Sequence, residues 1–570
     1  MIPTMCASNL GPLHPGVALA TSRKPRCDER IALFPWECGS PMVLIARVFA
    51  VTLALVLTCL GAAYGTTSSI DFAKIEKAIQ AGDLGWAQHE LERHVVAEPD
   101  DLRAHMLLGI VYDEQKQPEM AQKEFERAVQ LKPGDAVSHI NLGKHYARSG
   151  HLEAARGEFR RAIQLDPHSG IGHDNLGLLL MARGHYQAAR EEFQQAVETS
   201  DNDPDPLLHL LQAELELKEF GAARSTAGRL VARLGSKAAL YGQIGAMQAQ
   251  AGDYAGGIDN LERARALDPN SYQVGYNLGL AYFNKNDANQ AARILESLRA
   301  SQDTPEIENL IGSVYERQGN YLNAVKAFQK AAELDPKSED YRLDFIFELL
   351  VHQSYDAAIP VAQAAAHDFP SSIRIPLALG VAYFGRGRMT EALKTFSEAS
   401  RRFPDAELPV LFLANAADVT GESAEETRAV VAAYSARHAD WSWAYYFLGK
   451  SAYQAEIEGG RPESFEKARR LLEESLRRNP GYADAHYELG KVYLKLQQWR
   501  EAIGEYEKAV ALKPDMSEAH YKLSQAYRHV GELVRAQQEL LIHQRLKEKE
   551  AETLRTRQTA VFIYQLRGGQ

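Results

Sequence analysis

The chain has 570 residues, with 64 Lys and Arg against 75 Asp and Glu for a net charge of −11, and 4 Cys. Hydrophobic residues at 45% and charged residues at 24% exclude wholesale disorder and a polytopic membrane protein, and the acidic balance argues against nucleic acid as a partner, because phosphate binding needs a concentrated basic surface. At about 100–200 residues per domain the length suggests three or four domains, unless the chain is a repeated array, for which that division is the wrong operation.

Residues 1–41 carry Pro, Cys and scattered charge and read as a non-native or extended leader. Residues 42–65 follow with one basic residue (Arg47), an apolar run from Val48 to Leu60, and small residues at Ala62, Ala63 and Gly65. That is the layout of a secretory signal, with cleavage expected before Thr66. Two alternatives stay open: an uncleaved membrane anchor, since the apolar stretch nears the roughly 18–20 residues that span a bilayer, and lipidation at Cys59. All of them predict export to the periplasm or cell envelope. The cysteines are Cys6, Cys27, Cys38 and Cys59, so the body beyond them is thiol-free, as suits an exported protein.

From about residue 68 the chain becomes self-similar, with a 34-residue period plainest in HMLLGIVYDEQKQPEMAQKEFERAVQLKPGD and HINLGKHYARSGHLEAARGEFRRAIQLDPHS. Each unit predicts two helices. Gly109, Gly143, Gly177, Gly279, Gly312, Gly380 and Gly490 fall where a first helix must approach its partner closely, and Ala121, Ala155, Ala189, Ala291, Ala324, Ala392 and Ala502 do the same in the second. Phe125, Phe159, Phe193, Phe328, Phe396 and Tyr506 are expected to fill the space between successive units. Gly150, Gly184, Gly252, Gly319, Gly387 and Gly531 mark the turn between helices, where positive φ favours glycine. Prolines such as Pro133, Pro167 and Pro336 stop the second helix.

The pattern L-G-x2-large, A-x3-F and closing Pro closely resembles the tetratricopeptide repeat. The resemblance implies an all-α fold, a right-handed superhelical α-solenoid of tandem helix-turn-helix repeats over residues 66–550, with residues 551–570 as capping helix and tail. About fourteen units are expected, starting near Ser68, Leu102, Ala136, Gly170, Pro204, Ala238, Tyr272, Pro305, Glu339, Ile373, Glu407, Ser442, Ala483 and Ser517. Those at Pro204 and Glu407 keep little of the pattern. The unit at Ser442 carries an insertion, QAEIEGGRPES, expected to protrude as a loop at the inter-helix turn.

No catalytic motif emerges: there is no HExxH, GxSxG, Walker-type loop or CxxC. Leu448-Gly449-Lys450-Ser451 resembles the end of a phosphate loop, but Gly449 holds the repeat's helix-packing position. His105, His139, His173, His486 and His520 recur at one place in the repeat. Equivalent positions in stacked helices lie roughly 9–10 Å apart, too far for ligands about 2 Å from one zinc, so packing is the expected role. The chain thus reads as a non-enzyme without cofactor or metal.

Function then falls to the concave face that the family builds from its first helices. The resemblance places Asn141, Asn175 and Asn277 there, similar to the asparagine ladder by which some superhelical members hold an extended peptide. The ladder is interrupted by Leu107, Gln243, Leu310, Asp344, Ala378 and Phe412. Tyr276 and Phe283 share the face, and later units add Phe384, Phe412, Trp443, Tyr446, Phe447, Tyr453, Tyr487, Lys491, Tyr521 and Arg528. Aromatics flanked by charge concentrate binding energy at interfaces; the competing reading packs some of them between neighbouring first helices. Trp443 and Tyr453 are expected at the surface. No three consecutive units supply the Lys and Asn set of a carboxylate clamp. The expectation is a scaffold for protein or peptide partners, touching membrane only through an uncleaved N-terminal segment, or else the regulatory or substrate-presenting arm of an envelope enzyme complex.

Overall fold

Helices begin where the repeat register places them. The structure, a computed structural model, describes residues 70–200, 203–420, 424–459 and 465–550; the leader (1–41), the export segment (42–65) and the tail (551–570) lie outside them. Among the described residues every regular element is an α-helix. Eleven of the predicted unit starts, from Leu102 to Ser517, coincide with the first residue of a helix. The units read from Pro204 and Ile373 begin one residue later, at Asp205 and Arg374, and the first begins at Phe72 instead of Ser68. Numbered in chain order, odd helices α1 (Phe72–Gln80) to α27 (Ser517–His529) are first helices and even ones, α2 (Leu84–Ala97) to α28 (Leu533–Glu550), are second helices.

The chain divides into two compact units between Asp303 and Thr304. Within each, every helix packs chiefly on the helices immediately before and after it, and successive first helices also touch. Each unit is therefore an all-α solenoid in which the first helices share one layer, stabilised mainly through nearest neighbours.

Within a hairpin, glycine and an aromatic ring form a complementary pair. A Cβ on Gly143 would sit 2.6 Å from Cε1 of Phe159, and one on Gly109 2.7 Å from Phe125; Gly312 meets Phe328 and Gly490 meets Tyr506 in the same way. These rings fill the space within a unit as well as between units: Phe193 also meets His209 of the next first helix at 5.4 Å, and Phe396 meets Phe412 at 5.5 Å. All seven predicted alanines are fully buried.

Degenerate units keep the fold by exchanging volumes. In the unit starting near Pro204, Leu211 takes the glycine position and Ala227 the ring position, and both are buried in one cluster with Leu207 and Leu230. Ile346 and Ala362 make the same exchange in the unit at Glu339. Large-against-small is conserved in sum although the motif is lost, the kind of volume-conserving change that cores tolerate best.

The turn within each hairpin needs one left-handed residue. The six predicted glycines all have positive φ, between 73° and 94°. Where the turn lacks glycine the backbone does not change: Lys116, Lys218, Asn286, Gln353 and Gln497 take φ of 56–71° at the equivalent place. Second helices stop at the residue before the closing proline. Lys132, ahead of Pro133, is driven out of the helical basin to φ −141°, ψ 81°, as steric clash with a following proline ring requires.

One expectation is corrected here. The insertion after the unit at Ser442 does not leave the helix at once: α23 continues from Ser442 to Gly459, so its first six residues, 454–459, are helical. Residues 460–464 lie outside the described ones. Among the described residues no helix is long and apolar enough to cross a membrane.

Candidate protein-binding site

Two recurrent polar links hold the first helices in place and set what is left for a partner. The first lies within a hairpin. His105 of α3 (Leu102–Glu114) places Nδ1 2.6 Å from the Glu124 carboxylate on α4 (Pro118–Leu131) and Nε2 3.0 Å from the Pro99 carbonyl. His139 with Glu158 and Pro133, His486 with Glu505 and Pro480, and His520 with Glu539 and Pro514 repeat it, and His173 reaches Glu192 at 2.7 Å. The histidine column is thus an internal bolt. The second link joins successive hairpins: the Tyr112 hydroxyl donates to Glu92 of α2 at 2.7 Å, and Tyr146, Tyr493 and Tyr527 reach Glu126, Glu473 and Glu507 likewise.

Most of the aromatics assigned to the binding face are not on it. Trp443 and Tyr453, expected at the surface, are 4% and 6% exposed. Trp443 stacks on Phe447 at 5.4 Å and meets Trp441 at 5.0 Å, and Trp441 in turn meets Tyr434 of the preceding second helix, α22 (Ala424–Arg437). Tyr453 lies against Phe465 at 5.7 Å, in a cluster with Leu472 and Leu489. Tyr276, Phe283, Phe384, Phe412 and Phe447 are also buried. The reason is spacing. Large side chains on the flanks of first helices are clasped by the second helices beside them, as Phe412 is by Phe396 and Tyr453 by Phe465, so burying them is favourable. Tyr446 and Lys491 remain partly exposed.

The asparagines do not form an accessible ladder. Asn141, Asn175 and Asn277 are all buried. Nδ2 of Asn141 points at Met106 Sδ, 3.6 Å away, and Nδ2 of Asn175 donates to the Ile171 carbonyl at 2.7 Å. The Asn277 Oδ1 is buried with no hydrogen-bond partner among the described residues. Beside Asn175 lies a group of buried charged side chains. Asp174 accepts from His209 of the next first helix at 2.8 Å, and burial, then Arg148, bring the Lys144 ammonium down to about 8 despite the Asp174 charge. Gly449 abuts Leu472 as a packing glycine.

Of the residues assigned to the binding face, those that stay open lie on α23 (Ser442–Gly459), α25 (Ala483–Lys495) and α27. Lys491 Nζ sits 4.8 Å from the Tyr453 ring and 5.4 Å from that of Tyr487, and pairs with Glu488 at 2.7 Å. Tyr521 is 39% exposed, and Lys495 and Arg528 are exposed. Burial and then the charges of Lys491 and Lys495 lower the pKa of Lys522. Lys495 and Lys522 went unnoticed in the sequence; the signal was lysine on the exposed side of two consecutive first helices.

Helix hairpins that repeat one packing scheme, a small residue against a large one, define a helical-repeat protein. Tetratricopeptide repeat models match residues 72–136, 112–170, 140–206, 175–239, 348–407 and 463–497, 248–314, and 305–338 and 483–516, which together span most of the chain. The chain belongs to the tetratricopeptide repeat family. No curated protein matches it. Among solved structures, yeast Tom70 is 16% identical over 79% of this chain and 99% of that one, with a TM-score of 0.32. The Cut9–Hcn1 hetero-tetramer of the APC/C is 14% identical over 79% and 95%, with a TM-score of 0.29. YrrB, described as a TPR protein with an unusual peptide-binding site, is 19% identical over 36% and 97%, with a TM-score of 0.27.

Proposed function

We propose that the protein is a non-enzymatic scaffold, exported to or anchored at the cell envelope, that holds partner proteins or their peptide segments on its first-helix layer. The observation that carries the reading is that layer: successive first helices touch within each unit and, at α23 to α27, present Tyr446, Tyr487, Lys491 and Tyr521 partly open to solvent. A rigid surface of this kind binds without the cost of ordering itself. Export is supported by the charged, apolar and small-residue sequence of residues 42–65.

Chemical cross-linking in intact cells, followed by purification of the full chain and mass spectrometry, tests the scaffold. Defined partners whose cross-links map to the first helices are expected; their absence would remove the reading. Terminal sequencing of the same material tests export. A mature terminus at Thr66 supports cleavage, whereas a retained 42–65 segment in the membrane fraction supports anchoring.

A further inference from the structure

Between the second helices α10 (Phe220–Leu234) and α12 (Tyr254–Leu267) lies a cleft of about 540 Å³, with Tyr241 of α11 (Ala238–Gln250) in its wall. It opens because side chains are short there where other units make them long. The register sets Gly228 where the units at Leu102 and Ala136 have Glu126 and Arg160, and Ala232 where they have Gln130 and Gln164. Across the cleft, Ala255 stands where they have Glu119 and Glu153. A Cβ on Gly228 would meet nothing within 4 Å.

The histidine bolt is missing from the same place. Tyr241 stands at the position of His105, and Asn260 at that of Glu124. The two are not bonded to each other. The Tyr241 hydroxyl reaches Ser236 Oγ at 3.4 Å, while Asn260 Nδ2 turns into the hairpin, donating to Gln248 Oε1 at 2.7 Å and the Gly256 carbonyl at 3.2 Å. Asn260 is 9% exposed and lines the cleft. Its Oδ1 bonds to none of the described residues and, with Nδ2 fixed inward, is the end of the amide that the cleft meets. A largely buried acceptor without a donor is stabilised by one that a ligand supplies.

We propose that this cleft binds a neutral, aromatic small molecule carrying one N–H or O–H donor, of the indole or phenol class. The site goes beyond the scaffold reading, since it lies on second helices. The ligand donor meets Asn260 Oδ1, and its ring lies along Tyr241 and Val231. Charge favours a neutral ligand: Arg224 is held by Asp253, Nε to Oδ2 at 3.0 Å, and Arg263 by Asp259 at 3.0 Å. The Arg263 guanidinium lies 5.9 Å from the Tyr241 ring, and a planar cation of this kind also attracts a second aromatic face. The volume suits a small molecule, whose sites run to roughly 300–1,000 Å³.

The test adds 5-fluoroindole to the full chain and follows its signal by fluorine NMR. Broadening should saturate with a Kd below about 1 mM. 1-Methyl-5-fluoroindole keeps the ring but lacks the N–H, and should bind at least ten-fold more weakly. Gly228→Leu replaces a helical glycine with a side chain that enters open space, so the fold stands while the cleft fills. It should weaken the probe at least ten-fold, as should Ala232→Leu; circular dichroism and melting confirm that both variants are folded. Absence of saturable binding, equal binding of the methylated twin, or undiminished affinity in folded Gly228→Leu overturns the proposal. Displacement of the probe by N-acetyl-tryptophanamide at lower concentrations than by indole overturns the small-molecule assignment in favour of a partner's tryptophan side chain.

Discussion

His105 and Glu124 face each other across a helix hairpin, with Nδ1 2.6 Å from the carboxylate while Nε2 points at the Pro99 carbonyl. Both ring nitrogens thus meet acceptors, a geometry that only the doubly protonated imidazolium satisfies. Burial opposes the charge on His105, but Glu124 and the Pro99 carbonyl outweigh it, and the pKa is raised.

A raised histidine pKa has a fixed sign in stability. The contribution of the charged ring is complete below its unfolded value, about 6.5, and is lost as pH climbs through the higher folded value. Glu124→Gln should therefore weaken hydrogen-exchange protection of α3 and α4 by roughly 1–2 kcal/mol at pH 6, with a smaller difference at pH 9. A difference that stays constant with pH would contradict the imidazolium.

Gly143→Ala places a methyl group in the Phe159 ring. Alanine is the better helix former by about 1 kcal/mol, but the overlap exceeds that gain, and a net loss of about 1–3 kcal/mol is expected. Combining it with Phe159→Ala, which removes the ring that the methyl meets, should cost less than the sum of the two single changes in urea unfolding. If Gly143→Ala is neutral, close approach is not what holds glycine there.

The exchanged pair Leu211 and Ala227 can be exchanged back. Leu211→Gly alone opens a cavity and should cost roughly 3–5 kcal/mol; Ala227→Phe alone overfills the site and should cost about 1–3 kcal/mol. Together they restore the arrangement of Gly143 with Phe159, so the double variant should be more stable than the sum of the singles by more than 1 kcal/mol. Simple additivity in thermal unfolding would show that the two positions do not share their volume.

Lys218 holds φ at 59° in a turn where other units use glycine. The left-handed basin costs a residue with a Cβ about 1–2 kcal/mol, part of which glycine returns through its looser unfolded chain. Lys218→Gly should raise stability by about 0.5–1 kcal/mol, and Gln353→Gly and Gln497→Gly likewise. Gly150→Val should do the opposite. Matched urea titrations read both signs.

The sequence by itself determined the repeat and its register. Helix starts, the left-handed turn, the proline stop and the glycine-against-ring contact all join residues at fixed separations inside one unit, so a 34-residue period displays them directly. Even there the pattern was incomplete. Lys116 and Gln497 take the glycine turn without showing it, because the helices on either side fix the chain reversal whatever residue stands in it.

Only the tertiary structure decided which side chains a partner can reach. Trp443, Phe447 and Tyr453 occupy binding-face positions in the sequence, yet they are clasped by neighbouring residues such as Trp441, Phe465 and Leu472. Exposure depends on helix separation and on how the residues opposite fill the space, and neither is displayed by position in the repeat. The lowered pKa of Lys522 arises in the same way: burial, and then Lys491 and Lys495 of the preceding unit, act on it across the boundary between units, which no single repeat displays.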